Sequence, residues 1–113
     1  MSDLKSMSCS APKMGGPPLK SSEIQAYLPQ IPDWEVIEVD GVKHLTRQYK
    51  FKNFVAALDF TNKVGELAEQ EDHHPAILTE WGRVVVTWWT HAVNGLHLND
   101  FISAAKTEQI FTG

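Results

Sequence analysis

The sequence predicts an α+β fold of two layers, in which three helices cover one face of a four-stranded antiparallel sheet. Two pairs of β-rich runs are each joined by a short connection with a glycine. A long segment with helical spacing separates the two pairs, and a shorter amphipathic segment lies at each end. The predicted order is therefore α-β-β-α-β-β-α, with the second face of the sheet open to solvent, a ligand or another subunit.

The first 18 residues predict a disordered tail, which places the folded domain at residues 19–113. They hold all three methionines, three of the six prolines and the only cysteine, and they have no apolar periodicity. A metal- or redox-active segment around Cys9 is the alternative interpretation. It lacks a second cysteine or a nearby histidine.

The first helix is predicted to begin at Ser21–Glu23, because a serine hydroxyl can accept from the free amides of a first helical turn. The carboxylate of Glu23 suits the positive end of the helix dipole. Pro29 and Pro32 end the helix.

A β-hairpin follows. Residues Trp34–Val39 are rich in β-branched and aromatic types, and residues Lys43–Phe51 alternate between apolar and polar. Asp40-Gly41 supplies a two-residue turn between them. The apolar face of the second strand carries Leu45, Tyr49 and Phe51.

The spacing then changes to that of a helix over residues Lys52–Glu71, which needs a sheet to pack on. Residues Ala76–Trp81 and Arg83–Thr90 predict a second hairpin with Gly82 in the turn. A last helix, capped by Asn99 or Asp100, continues through Ile110. The apolar stripe of the long helix is predicted to consist of Phe54, Leu58, Thr61, Val64, Leu67 and Ala68.

Composition limits the range of partners. The net charge is −4 and no block of basic residues is present, which argues against nucleic acid or an anionic membrane as a main partner. No apolar run approaches the roughly 20 residues of a spanning helix, and the start of the chain does not resemble a signal peptide. With a single cysteine, a cytoplasmic location is the default. A small-molecule ligand is expected, and so small a domain can gain stability by self-association.

Histidines cluster in the second half of the chain, where four of the five fall between residues 72 and 99. His73 and His74 end the long helix, and His91 ends the fourth predicted strand. If the third and fourth strands pair through their tight turn, the start of one lies beside the end of the other. The three histidines are then expected at one rim of the sheet.

Two carboxylates can join this rim. Glu69 lies four residues before His73 on the helix, so its carboxylate is expected to reach the His73 ring. Asp100 opens the last helix and can complete the same pocket. Imidazole gives and takes protons near neutral pH, and a neighbouring carboxylate fixes its tautomer. Such a group suits proton transfer on a flat heterocycle, for which Trp34, Trp81 and Trp89 could supply apolar walls.

Plainer interpretations apply to the same residues. Histidines at a helix end can act only as partners of the helix dipole, and tryptophans are commonly core or interface residues. His44 and His97 have no such surroundings and are interpreted as surface residues. A zinc or iron site is a further alternative. It is disfavoured because adjacent side chains diverge in extended backbone, so His73 and His74 are poorly placed to share one ion.

The order of these residues resembles the signature of the pterin-4a-carbinolamine dehydratases, in their bacterial branch. The flanking segments 79–82, 88–91 and 95–102 are similar as well, and the resemblance covers about residues 19–109. The pattern consists of Glu69, three residues, His73-His74-Pro75, five residues, Trp81, nine residues, His91, eight residues and Asp100.

The resemblance implies a lyase that dehydrates 4a-hydroxytetrahydrobiopterin, the product left by aromatic amino acid hydroxylases, to quinonoid dihydropterin. This reaction recycles the pterin and needs no metal or other cofactor. By position, His73 and His91 resemble the acid/base pair, and His74 resembles the residue that orients the pterin. Asp72, Trp89 and Thr90 resemble substrate-binding residues, Trp34 and Trp81 the walls, and Glu69 and Asp100 the groups that position the histidines.

The resemblance also implies a homodimer or homotetramer and a functional link to an aromatic amino acid hydroxylase. Animal members of the family additionally act as dimerisation cofactors of a homeodomain transcription factor. A non-catalytic dimerisation, regulatory or assembly module that binds a partner protein is therefore the alternative function. The pattern leaves open the preferred pterin side chain, the identity of the acid, the choice between dimer and tetramer, and the role of the tail.

Overall fold

The computed structural model describes residues 3–113, and it confirms the α+β class and the predicted order of the main elements. Short 3-10 turns at Leu4–Ser6, Leu28–Gln30 and His91–Val93 are added to them. The helices are α1 (Ser21–Tyr27), α2 (Phe54–Glu71) and α3 (Leu98–Thr112). The strands are β1 (Glu35–Val39), β2 (Val42–Lys50), β3 (Ala76–Glu80) and β4 (Arg83–Trp88).

The four strands form one antiparallel sheet in the order β1-β2-β4-β3. Asp40 and Gly41 join β1 to β2 with φ values of 51° and 79°, the left-handed pair that a tight hairpin turn requires. In the second hairpin Glu80 pairs with Arg83, and Ala76 pairs with Thr87. The start of β3 therefore lies beside the end of β4, as the sequence predicts.

The core lies between the helices and one face of the sheet. Leu45 and Tyr49 of β2 are buried there, as are Val84, Val86 and Trp88 of β4. On the opposite face Ile37, Val39 and Leu78 remain exposed. No helix within residues 3–113 is long and apolar enough to cross a membrane.

The buried face of α2 is rotated from the predicted stripe. Phe54 and Leu58 were expected in the core, yet both are exposed. Asn53 caps the helix by accepting the Ala56 amide at 2.8 Å, and the first buried residue of the helix is Ala57. Because several apolar residues line both sides of this helix, spacing alone did not distinguish the faces. The side chains that α2 does bury are those of Ala57, Phe60, Val64, Leu67 and Ala68.

The caps of α1 and α3 also differ from the prediction. At α1 the Glu23 carboxylate accepts the Lys20 amide at 2.8 Å, and no serine hydroxyl makes a capping bond. At α3 the capping residue is His97, whose Nδ1 accepts the Asn99 amide at 3.0 Å. His97 is thus a structural cap, and Asp100 completes the arrangement by accepting the His97 amide at 2.9 Å.

The segment predicted to be a disordered tail makes specific contacts over residues 3–18, while Met1 and Ser2 lie outside the described residues. Leu4 is fully buried in the core, and its amide donates to Gln30 Oε1 at 2.9 Å. Cys9 is partly buried against α3. Composition did not reveal these contacts because a single leucine and backbone hydrogen bonds to distant side chains leave no periodic signal.

Candidate active site

A left-handed residue at the end of α2 sets the direction of the first histidine. Asp72 has φ 51° and ψ 43°, and its amide donates to the carbonyl of Ala68. The His73 amide donates to the same carbonyl at 3.2 Å. Aspartate tolerates this conformation better than most residues. The turn carries His73 off the helix and toward the start of α3.

His73 and Asp100 form the most buried polar contact of the histidine cluster, with Nε2 2.6 Å from Oδ1. Asp100 is fully buried, and the His73 side chain is 12% exposed. The other carboxylate oxygen accepts from Thr90 Oγ1 at 2.8 Å and from the His97 amide. A carboxylate only accepts, so Nε2 of His73 donates and Nδ1 is left to exchange a proton.

An aromatic ring fixes the plane of His73. Its imidazole stacks on the indole of Trp88, with ring centroids 5.3 Å apart and an interplanar angle of 24°. Trp88 is fully buried at the end of β4. Since Asp100 and Trp88 hold the ring from its edge and its face, its orientation is set before any ligand arrives.

His74 binds the carboxylate of Glu69, which was expected from the sequence to reach His73. Glu69 Oε2 lies 2.5 Å from His74 Nε2, so the carboxylate binds His74, while His73 binds Asp100. The left-handed turn at Asp72 explains the exchange, because it moves His73 away from the helix face that carries Glu69. The His74 side chain is 56% exposed, so this pair lies in solvent at the rim.

His91 lies just beyond the end of β4. The strand ends at Trp88, before the predicted Thr90, and His91 is exposed at the start of the 3-10 turn. Its ring packs edge-on against Trp89 at 5.3 Å between centroids. Thr90 pairs with Gly95 through backbone hydrogen bonds, which close the loop that carries His91.

His44, interpreted from sequence as a surface residue, is buried to 8% exposure. Its ring stacks on Trp89 with centroids 4.1 Å apart and an interplanar angle of 22°. The register explains this contact, because Leu45 lies opposite Trp88 and the preceding residue therefore faces Trp89. The pairing of β2 with β4, which sequence did not assign, was the missing signal.

Within one chain, Trp34 and Trp81 do not join the histidines. Trp34 is in the core, where its Nε1 donates to Glu108 at 2.9 Å and its ring meets the Tyr49 ring edge-on. Trp81 is 72% exposed in the turn between β3 and β4, at the end of the hairpin opposite to His73.

The described residues contain no group of three or more His, Cys, Asp and Glu side chains that could hold a metal ion. His73 is held by Asp100, and His91 follows Thr90, which also binds Asp100. The His73–Asp100 pair can exchange protons through Nδ1 of His73, and His91 is a second exposed imidazole packed beside Trp89.

Comparison with known proteins gives the family. A model of the family described as pterin 4 alpha carbinolamine dehydratase matches residues 17–110. The chain belongs to this family. A protein of Nitrosococcus oceani, provisionally named as such a dehydratase, is 57% identical over 110 residues, which are 97% of each chain. A protein of Syntrophotalea carbinolica with the same provisional name is 51% identical over 97% of this chain and 98% of its own length.

A solved structure from Brucella melitensis is similar to this fold, with a TM-score of 0.74 and 36% identity. The match covers 82% of this chain and 97% of the Brucella chain, which is described as a transcriptional coactivator/pterin dehydratase. The matched residues 17–110 contain every histidine of the site and Asp100.

Proposed function

We propose that this protein dehydrates 4a-hydroxytetrahydrobiopterin to quinonoid dihydropterin by acid/base catalysis with His73 and His91. The observation that carries the proposal is the 2.6 Å contact between His73 and the buried Asp100. It supplies an imidazole whose tautomer and plane are fixed. The family and the provisional names of the relatives support a pterin substrate.

The reaction needs two proton transfers. The N5 lone pair expels the 4a-hydroxyl as an acid protonates the leaving oxygen, and a base removes the N5 proton. The products are water and the quinonoid pterin, with no net gain or loss of protons and no change of oxidation state. Nδ1 of His73 serves one transfer and the ring of His91 serves the other. Each such group contributes about 10²- to 10⁴-fold to the rate.

The surrounding residues take supporting roles. His74, held by Glu69, orients the pterin near its 4a-oxygen. Trp89 supplies an apolar wall beside His91, and Thr90 and Asp72 lie next to the reacting groups. The role of Trp81 as a wall depends on a second subunit, since Trp81 does not reach the histidines of its own chain. Trp34 is only 4% exposed in the core of its own chain, so its ring is not available to a pterin.

The test is the dehydration of freshly generated 4a-hydroxytetrahydrobiopterin, followed by ultraviolet absorbance. We expect the wild type to exceed the spontaneous rate, and His73→Ala and His91→Ala each to lose about 10²-fold or more. His97→Ser is the matched control, because serine can replace the helix cap that the His97 side chain provides and keeps the backbone amide that donates to Asp100. Unchanged rates in both alanine variants, with normal circular dichroism, would exclude the catalytic assignment.

We also propose a homodimer or homotetramer. Helix α2 exposes Phe54, Val55 and Leu58, and the β3 hairpin exposes Leu78 and Trp81. Such apolar surface suits contact between subunits. Light scattering should give a mass above the 12.7 kDa of the monomer, and a monomer at high concentration would contradict this proposal.

The cellular role follows from the proposed reaction. A dehydratase of this kind recycles pterin in the cytoplasm for an aromatic amino acid hydroxylase. The non-catalytic alternative, a dimerisation or regulatory module, has support in the coactivator description of the Brucella protein. A wild-type protein that binds a partner but leaves the spontaneous dehydration rate unchanged would favour that alternative.

A further inference from the structure

The N-terminal segment, residues 8–19, runs along the elements that carry the catalytic groups. The Cys9 amide donates to Glu71 Oε1 at 2.8 Å, one residue before Asp72 at the end of α2. Both backbone groups of Ser10 bind the Asn99 side chain, at 3.0 Å to Oδ1 and at 2.6 Å from Nδ2. Asn99 is 2% exposed and directly precedes Asp100. The segment thus joins the two helix ends that meet in the His73–Asp100 pair.

The same segment continues along the loop that follows His91. The Gly15 amide donates to Ala92 O at 2.8 Å, and the Leu19 amide donates to Leu96 O at 2.8 Å. Pro18 lies so close to Gly95 that a Cβ there would stand 2.8 Å from the Pro18 Cβ. This close approach fastens the segment to the loop, so both catalytic histidines lie on elements that it contacts.

A cavity of about 450 Å³ opens between this segment and His73. Its lining consists of residues 8–12 of the N-terminal segment, residues 70–73 at the end of α2, and Asn99. The volume lies within the roughly 300–1,000 Å³ of small-molecule sites. Its lining is largely polar and includes Ser8 and Ser10 together with Asp72 and His73. A polar ligand side chain fits these surroundings better than an apolar one does.

We propose that Ser8–Pro12 is a wall of the pterin site, and that Asn99 is the positioning residue that holds this wall in place. The inference rests on the proposed function, which identifies His73 as a group that meets the substrate. A pterin with its 4a-carbon at His73 extends its polar side chain along Ser8 and Ser10. The segment therefore contributes to the choice of pterin side chain.

Cys9 reports on this cavity without taking part in the reaction. It lines the cavity, is partly buried, and is the only cysteine of the chain. Burial raises the pKa of its thiol, so the thiol stays protonated and unreactive at neutral pH. Reaction with a thiol reagent therefore measures how often the segment opens and whether a ligand covers it.

The experiment measures the rate at which Ellman's reagent labels Cys9, with and without 7,8-dihydrobiopterin as a stable pterin. At a ligand concentration ten times its Kd, labelling should fall to about one tenth of its rate without ligand. Asn99→Ala should raise the ligand-free rate about tenfold or more, because the amide and carbonyl of Ser10 lose their partners. Ser10→Pro removes the Ser10 amide donor at an exposed position and should likewise raise the labelling rate. Asn62→Ala, on the exposed side of α2, is the control and should leave the labelling rate unchanged.

Dehydration assays complete the test. In Asn99→Ala and Ser10→Pro we expect KM for a pterin with a polar side chain to rise several-fold with a smaller change in kcat, and KM for 6-methylpterin to change less. If the wild-type enzyme is active and 7,8-dihydrobiopterin does not slow the labelling of Cys9, the inference is overturned and the proposed function is left intact. If the wild type is inactive but pterin still protects Cys9, the proposed catalysis is overturned and the proposed pterin site is retained. If the protein is inactive and Cys9 is not protected, both proposals are overturned.

Discussion

Replacing Asp100 with asparagine would change the tautomer of His73 while nearly preserving the shape of the site. The carboxylate now accepts from His73 Nε2, from Thr90 Oγ1 and from the His97 amide. Asparagine has one acceptor oxygen, which would accept hydrogen bonds from both Thr90 Oγ1 and the His97 amide. Its NH₂ would then face Nε2 of His73, and that nitrogen would have to accept. The proton would move to Nδ1, the atom that the mechanism needs free.

The size of the effect follows from these contacts. The complete contribution of an acid/base group is about 10²- to 10⁴-fold, which sets the upper limit. Loss of the partner that orients a metal-binding histidine costs about 10- to 100-fold in affinity or activity, and we take the same range for a proton-transfer histidine. We therefore expect kcat to fall about 10²-fold, or about 2.7 kcal/mol in activation free energy. The buried charged hydrogen bonds lost cost about 1–3 kcal/mol of folding stability.

The assay compares dehydration rates of the wild type and Asp100→Asn under saturating substrate. Asp59→Asn is the matched control, because the Asp59 side chain is 66% exposed near the start of α2, whereas the site lies beyond the end of that helix. Urea denaturation establishes that the Asp100 variant remains folded. A kcat within twofold of the wild type in the folded variant would refute the reasoning about the tautomer.

Three further predictions concern stability. Glu108→Ala leaves the hydroxyl of Tyr49 and the indole N–H of Trp34 without their acceptor, so the free energy of unfolding should fall by about 2–5 kcal/mol. Urea denaturation measures this free energy, and an unchanged value would contradict the prediction. Burial raises the pKa of Tyr49, so stability is fully present below the ordinary tyrosine value of about 10 and decreases as pH rises above it. Thermal melts should show this decrease, and Tyr49→Phe should reduce it. A hydrogen bond from the Cys9 amide lowers the pKa of Glu71, so its stabilising effect is present above about pH 4.3 and is lost as pH falls through the lowered value. Glu71→Gln should flatten that acid limb of a melting-temperature profile, and an unchanged limb would count against the contact.

Local patterns were sufficient to predict the hairpins and the helices. Asp40-Gly41 and the alternation that places Leu45 and Tyr49 on one face specify the first hairpin through near-neighbour chemistry. Asp100 was also expected to complete the pocket of His73, although the two residues lie 27 positions apart. The hairpins and helices depend on spacing within a few residues or on a single turn.

Contacts between distant segments were not predictable in the same way. His44 was missed because its burial depends on the register of β2 against β4, which local spacing does not set. The Glu69 contact was assigned to His73 because a helix was assumed to continue where Asp72 takes a left-handed conformation. Asn99 holds Ser10 across 89 positions of sequence, a contact that composition hides within a segment rich in serine and proline.

The measurement that tests the central claim most directly is a double-mutant cycle for dehydration, with the wild type, His73→Ala, Asp100→Asn and the double variant. If Asp100 acts by positioning His73, the double variant should be no slower than His73→Ala alone, since the carboxylate has no ring left to orient. Effects that multiply, so that the double variant loses the product of the two single losses, would contradict the account. A wild-type rate equal to the spontaneous dehydration rate would contradict it as well.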